Sequence, residues 1–430
     1  MSTPLTRIAF QTMGCKLNFS ETSTLSREFI EHGYEKVDYR DKADIYIINT
    51  CSVTDNADKE ARKLIRQAKR RNPNSSIAVI GCYAQLKSKD IANIEGVDLV
   101  LGSEEKFNLL EHIENINLDK NTMVKWSEIE HVHDFKPSYS LNERTRSYLK
   151  VQDGCDYTCS FCTIPLARGK SRSSTINNTM KIAKKLALTG VKEIVMTGVN
   201  IGDYGSYNGE SLLELIREMD DLNNIDRIRI SSIEPNLLSD EIIEYCHSSE
   251  RFMPHYHIPL QSGSNKILKL MRRRYNTEIY RSLINKIKKL DGDTCIGVDV
   301  IVGFPGESDS DFMKTYEFLL DLDISYLHVF SYSERLNTDA CSFGSSVPKE
   351  KRLERSRMLH NLSNKKRDHF YNRYLNKKRK VLFETIKDGK LVGHTDNYVK
   401  VKINPIPELV NSIKKTSLIK NLGDSLFGKI

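Results

Sequence analysis

Short apolar runs alternate with longer amphipathic ones from the start of the chain. IAFQTMG is followed by a helical pattern to about Tyr34, ADIYIINT by another to about Arg71, and SIAVIG by a third. Strand–helix alternation of this kind predicts a parallel sheet covered by helices, with ligands bound at the carboxyl ends of the strands. Cys15, Cys51 and Cys82 each follow one of these strands. Three thiols at neighbouring strand ends form either a converging three-thiolate metal site or three core residues, since free cysteine is among the most buried residue types. This first domain spans 1–119, and the polar stretch 120–143, which holds the single tryptophan Trp126, reads as a linker.

A second alternation fills 144–372, with strands expected at SYLKVQ, EIVMTG, RIRISS, HYHIPL, IGVDVIV and SYLHVFS and helical segments between them. Six repeats predict an incomplete parallel (β/α)6 barrel with its active site on the carboxyl-end face. In 373–430 the pattern shortens to VLFETI, LVGHTDNYVKVKI and SLIKNLGDSLFGKI, separated by glycine turns. That is the pattern of a small β-barrel of a kind that often binds oligonucleotides. The expected fold class is therefore α/β, in three parts.

The strongest chemical signal follows the first barrel strand, where Cys155, Cys159 and Cys162 stand in a C-x3-C-x2-C spacing. Three thiolates on one loop suit three irons of a 4Fe-4S cluster and leave the fourth iron open, where the amino and carboxylate groups of S-adenosylmethionine (SAM) can chelate. A structural zinc site needs a fourth ligand that no nearby His or Cys supplies. Cys246, Cys295 and Cys341 show no ligand spacing and read as core thiols, and His255 and His257 read as strand residues.

Composition narrows the class. The 430 residues include nine cysteines, 28% charged residues and 39% hydrophobic ones. No apolar run approaches the roughly 18 residues of a membrane span, and the first residues lack the features of a secretion signal, so the chain reads as a soluble cytoplasmic protein whose cysteines are ligands or core thiols. Net charge is +8, yet residues 351–380 hold twelve basic and two acidic side chains, so the excess is local. Phe370, Tyr371 and Tyr374 are interleaved there. Such a stretch either binds RNA, with phosphates on the cations and bases on the rings, or is a solvated helix face with its aromatics turned inward. The cluster Lys377, Lys378, Arg379 and Lys380 is the best RNA-binding candidate, and Arg66 to Arg71 forms a second basic patch.

In combination, Gly14-Cys15-Lys16-Leu17-Asn18, Asn49-Thr50-Cys51, Gly81-Cys82 and the C-x3-C-x2-C loop resemble the radical SAM methylthiotransferases, in which a cysteine-bearing domain precedes the radical barrel and a TRAM domain closes the chain. The resemblance covers nearly all of the sequence. It implies two 4Fe-4S clusters, one on Cys15, Cys51 and Cys82 and one on Cys155, Cys159 and Cys162, with one SAM methylating a sulfide at the first and another cleaved at the second. It also implies cofactor contacts at the strand ends: Gly198 and Asn200 after the second strand, Ser232 and Glu234 after the third, Gln261 after the fourth and Gly303 after the fifth. A low-potential electron donor of flavodoxin or ferredoxin type is expected, as is a monomer away from membranes; no sulfur source is indicated.

The family divides into enzymes for threonylcarbamoyladenosine in tRNA, for isopentenyladenosine in tRNA, and for a ribosomal protein aspartate. Gln11 to Asn18, Cys51-Ser52-Val53-Thr54 and Gly393 to Tyr398 resemble the first branch, which methylthiolates carbon 2 of the base at tRNA position 37. A non-catalytic iron–sulfur RNA-binding protein is the alternative from another class. One departure stands out: where the family commonly has Arg-Pro-Gly-Thr after the sixth strand, Arg335 is followed by Leu336-Asn337-Thr338.

Overall fold

The computed structural model describes residues 5–52, 54–116, 121–141 and 145–430. Val53 of the Cys51 motif and both ends of the expected linker lie outside them. The first domain runs β1 (Arg7–Thr12), α1 (Lys16–Glu31), β2 (Glu35–Val37), β3 (Ile45–Thr50), α2 (Asp55–Arg71), β4 (Ser76–Gly81), α3 (Cys82–Leu86), α4 (Ser88–Ala92), β5 (Leu99–Leu101), α5 (Leu109–Glu114) and β6 (Met123–Lys125). Its six strands pair in parallel in the order β2-β1-β3-β4-β5-β6. Every residue of β3 and β4 is buried, as expected for central strands covered on both faces.

The stretch expected as a linker is tied to both neighbours. It supplies β6 to the first sheet, and Trp126 donates from its indole to Gln85 O (2.7 Å). Further on, β7 (Ser138–Tyr139) pairs antiparallel with β8 (Arg146–Lys150), the first barrel strand.

After β8 come β9 (Gln152–Asp153), α6 (Ile164–Arg168), β10 (Arg172–Ser173), α7 (Ile176–Ala187), β11 (Glu193–Thr197), α8 (Leu212–Asp220), β12 (Arg227–Ile230), α9 (Asp240–Ser248), β13 (His255–His257), α10 (Asn265–Leu270), α11 (Thr277–Leu290), β14 (Cys295–Val302), α12 (Asp309–Asp321), β15 (Tyr326–Ser331) and α13 (Lys349–Asn372). β8, β11 and β12 pair in parallel, as do β13, β14 and β15, and bridges Ile228–Phe252 and Ser232–His257 join the two sets. Among the described residues nothing pairs β15 back to β8, so the six-stranded barrel is open along one side.

The chain closes with β16 (Lys378–Lys387), β17 (Lys390–Thr395), β18 (Lys400–Ile403), β19 (Ser412–Asn421) and β20 (Leu426–Lys429), a closed barrel ordered β16-β17-β18-β20-β19. It seats on the amino ends of the larger barrel's strands. Arg227, the first residue of β12, donates to Lys380 O (2.8 Å) and His394 O (3.1 Å), and Cys295 at the start of β14 shares a core with Phe370, Tyr371 and Tyr374. The aromatics of the basic stretch are therefore turned inward rather than displayed on the outer surface, and they bury the joint between α13 and the small barrel. Among the described residues no helix is long and apolar enough to cross a membrane.

Candidate active site

The loops that follow β1, β3 and β4 meet at one end of the first sheet. Cys15 caps α1, Cys51 directly follows β3 and Cys82 opens α3. Two glycines permit the approach. Gly14 (φ +85°) lies where a Cβ would stand 2.8 Å from Cys51 Sγ, and Gly81 (φ +95°) where one would stand 2.5 Å from Thr50 O. Asn18 braces the same ends, donating to Met13 O (2.9 Å) and Thr50 O (3.0 Å). Burial pushes the Cys82 thiol up, and the nearby Arg168 guanidinium opposes that shift.

Cys155, Cys159 and Cys162 lie on the loop between β9 and α6, at the carboxyl end of the barrel. Burial pushes Cys155 and Cys162 up to about 12, which keeps both as neutral thiols, and a bound metal ion is the kind of group that would offset that shift. Arg273 donates to Cys159 Sγ (3.2 Å) and pairs with Glu234. The sequence reading missed Arg273, whose one visible signal was the run Arg272-Arg273-Arg274.

The strand-end candidates separate. Gly198 and Ser232 line a cavity of about 910 Å³, and Gln261 lines a smaller one of about 230 Å³ together with Cys162. Gln261 is held in the left-handed region (φ +67°), and its buried Oε1 lacks a partner, as does Oδ1 of Asn200. Orphaned buried acceptors beside three thiols fit a polar cofactor such as SAM bound to a cluster. Gly303 lines neither cavity: it packs against the Arg352 side chain and donates its N–H to Glu307 (3.0 Å).

The larger cavity runs through the open barrel. Cys15 and Cys51 border it, Tyr326 lines its wall, and His394 and Tyr398 of the small barrel close it. Thr54, Asp299 and Phe330 line both cavities, so the two adjoin. Asp299 accepts from His257 (2.7 Å) and His328 (3.3 Å) on the flanking strands, and the three ligand atoms lie within 4.8 Å of one another, close enough to hold a metal ion. Burial pushes the Asp299 carboxyl up, but the two histidines outweigh it and hold the group well below the usual range.

Residues 7–102 match the model of the Uncharacterized protein family UPF0004 and residues 149–319 that of the Radical SAM superfamily. The threonylcarbamoyladenosine tRNA methylthiotransferase MtaB of Bacillus subtilis (strain 168) is 39% identical over 422 residues, 96% of this chain and 94% of that protein. Its counterpart from Aquifex aeolicus (strain VF5) is 41% identical over 399 residues, 92% and 96%. The chain belongs to the radical SAM methylthiotransferase family. A tRNA-2-methylthio-N(6)-dimethylallyladenosine synthase of Clostridium tetani (strain Massachusetts / E88) is more distant, 30% identical over 431 residues, 97% and 95%. The radical SAM methyltransferase TsrM of Kitasatospora setae, solved with cobalamin and a [4Fe-4S] cluster, superposes with a TM-score of 0.57 at 13% identity over 79% of this chain and 77% of that one, a likeness of fold.

As a radical SAM methylthiotransferase, the chain is an enzyme that uses an iron–sulfur cluster and SAM. The methylthiotransferase joins its two cysteine regions through buried charge. Glu21 of α1 accepts from Lys106 (2.8 Å), Lys150 (3.0 Å) and Arg168 (3.1 Å), and Arg168 also meets Asp153 (2.9 Å) and Asn18 (2.6 Å). Burial alone would raise the Glu21 carboxyl, but its cations hold it far below the usual range. A second tie is Arg335, just before the departing Leu336-Asn337, which donates to Ser52 O (2.8 Å) and Asp58 (3.0 Å) and so anchors the Cys51 loop to the barrel.

The RNA-binding candidates also divide. Lys377, Lys378 and Lys380 are exposed, while Arg379 is bound to Asp396 and Asp293 at 2.9 Å. Arg66 and Arg70 are exposed on α2.

Proposed function

We propose that the enzyme methylthiolates carbon 2 of N6-threonylcarbamoyladenosine at position 37 of tRNA. The observation that carries this reading is the large cavity, bordered by Cys15 and Cys51 on one side and by the strand-end residues Gly198 and Ser232 on another. The proposed ligands are Cys155, Cys159 and Cys162 for the cluster that binds SAM, and Cys15, Cys51 and Cys82 for a second cluster. When bound, these groups supply a 5′-deoxyadenosyl radical and the sulfur, chemistry that suits a carbon with no acidic hydrogen.

The chain's own residues bind, orient and exclude water. Asn200 and Gln261 offer their unpartnered oxygens to the ammonium end of SAM, and Arg273 neutralises charge beside Cys159. The base leaves its stack to enter the cavity, as for other enzymes that act on a base. Lys377, Lys378 and Lys380 hold RNA phosphates, and an electron arrives from a low-potential donor of flavodoxin or ferredoxin type.

Nucleoside analysis of tRNA from cells with and without the gene tests the substrate: the 2-methylthio derivative should vanish and threonylcarbamoyladenosine accumulate, and persistence of the derivative refutes the reading. Anaerobic reconstitution should give about eight irons per chain. Alanine at Cys15, Cys51 and Cys82 should halve that and stop methylthiolation while 5′-deoxyadenosine still forms. Alanine at Cys155, Cys159 and Cys162 should stop both.

A further inference from the structure

We propose that Lys16 forms a carboxylate subsite in the large cavity and binds the threonyl carboxylate of the modified adenosine. The inference rests on the substrate reading above and deepens it by naming the residue that tells this substituent from an uncharged one.

Lys16 is the first residue of α1, and its side chain lines the cavity beside Cys15. Among the described residues its ammonium has neither an ion pair nor a hydrogen bond, although the residue is half-buried. The other charged side chains of the lining that are not histidines each have a hydrogen-bond or ion-pair partner. Asp299 accepts from His257 and His328, and Asp424 pairs with Lys400 (3.2 Å) and Lys402 (3.0 Å). Arg367 donates to Asn364 (2.7 Å) and Gly423 O (3.4 Å).

The deeper charges leave no anion to spare for Lys16. Arg229 pairs with Glu193 (2.9 Å), and Arg146 with Glu384 (3.2 Å), whose other oxygen meets His394 (2.6 Å). The Lys16 ammonium thus faces a largely apolar cavity without a partner of its own, and a partly buried cation of this kind calls for an anion.

Substrate geometry agrees. Carbon 2 and N6 lie on the same edge of adenine, so a base with carbon 2 toward the Cys15 and Cys51 loops sends its N6 substituent along the adjacent wall. Lys16 lines the same cavity, one residue from Cys15. The threonylcarbamoyl group ends in a carboxylate and the isopentenyl group in methyls, so an ammonium here favours the first and leaves a desolvated, unpaired charge against the second.

The test uses anticodon stem-loop RNAs carrying threonylcarbamoyladenosine or the same base with its carboxylate converted to a carboxamide, given to the reconstituted full-length enzyme and to Lys16→Met and Lys16→Arg. The parent should prefer the acid in kcat/KM by about tenfold to a hundredfold, the value of one charge-assisted hydrogen bond. Lys16→Met should lose that preference through a raised KM for the acid, and Lys16→Arg should keep most of it, with equal iron content in all three. A Lys16→Met enzyme that retains the parent's acid-over-amide ratio overturns the subsite alone. A parent that acts on isopentenyladenosine RNA and on neither threonyl substrate overturns both the subsite and the substrate reading.

Discussion

Arg335 reaches from the loop after β15 to a neighbouring domain, and three contacts fix the start of its loop: Thr338 donates to Arg335 O through N (2.8 Å) and Oγ1 (2.7 Å), and Cys341 through Sγ (3.0 Å). The guanidinium fork then satisfies Ser52 O and the buried Asp58 together. Arg335→Ala leaves Asp58 with the Ser52 hydroxyl (3.1 Å) and, as its one cation, the more distant Lys87 (3.7 Å), so a loss of about 3 kcal/mol is expected in urea unfolding. Iron content should also fall toward the level of the Cys15, Cys51, Cys82 alanine variant. Arg335→Lys should recover little, because one ammonium cannot make both bonds. The grouping of Cys155, Cys159 and Cys162 on one loop was legible because they stand at short local intervals, and the approach of Cys15, Cys51 and Cys82 because each follows a strand of one parallel sheet. Arg335, Arg168 and Arg273 were not, since their partners lie far along the chain and nothing nearby records them.

Among the elements, the long buried strands could be read from their apolar runs, whereas β2 and β6, three residues each, are too short for any pattern and are defined by the neighbour they pair with. Strand register also decides what a charge run means. In β16 successive side chains alternate, so Lys378 and Lys380 face solvent while Arg379 turns to Asp396 and Asp293. Lys380 sits opposite Lys415 of β19, a like-charge pair that a polyanion would relieve. Glutamine at Lys377, Lys378, Lys380 and Lys415 should weaken tRNA binding and lower the log–log salt slope by roughly 2–3 units, measured by filter binding at rising salt. Arg379→Ala should instead act on thermal unfolding, since its charge is already committed within the fold.

For the whole molecule, the joint between the first domain and the large barrel is a buried ionic cluster, with Glu21 and Asp153 surrounded by Lys106, Lys150 and Arg168. Burial acts to raise both carboxyls and the cations outweigh it, so both are held below their unfolded values near 4. Their stabilisation is therefore complete above about pH 4–5 and is lost as pH falls further. Urea titrations followed by the fluorescence of Trp126 should show a modest fall in midpoint from pH 7 to 5, as the unfolded chain protonates His255 and His394 that burial keeps neutral in the fold, and a steep fall below 4. Glu21→Gln should start lower and lose less over that acid range. The two cysteine sets also differ in how far the chain must organise before each exists. Cys155 to Cys162 span eight residues of one loop, so a nascent or loosened chain already holds these proposed ligands close together. Cys15, Cys51 and Cys82 are brought together only once β1, β3 and β4 stand side by side, at the full entropic cost of closing two long loops. On the proposed ligand sets, metal loading is ordered by contact range: the Cys155, Cys159, Cys162 set can fill early, while filling of the Cys15, Cys51, Cys82 set reports that the first domain has finished folding.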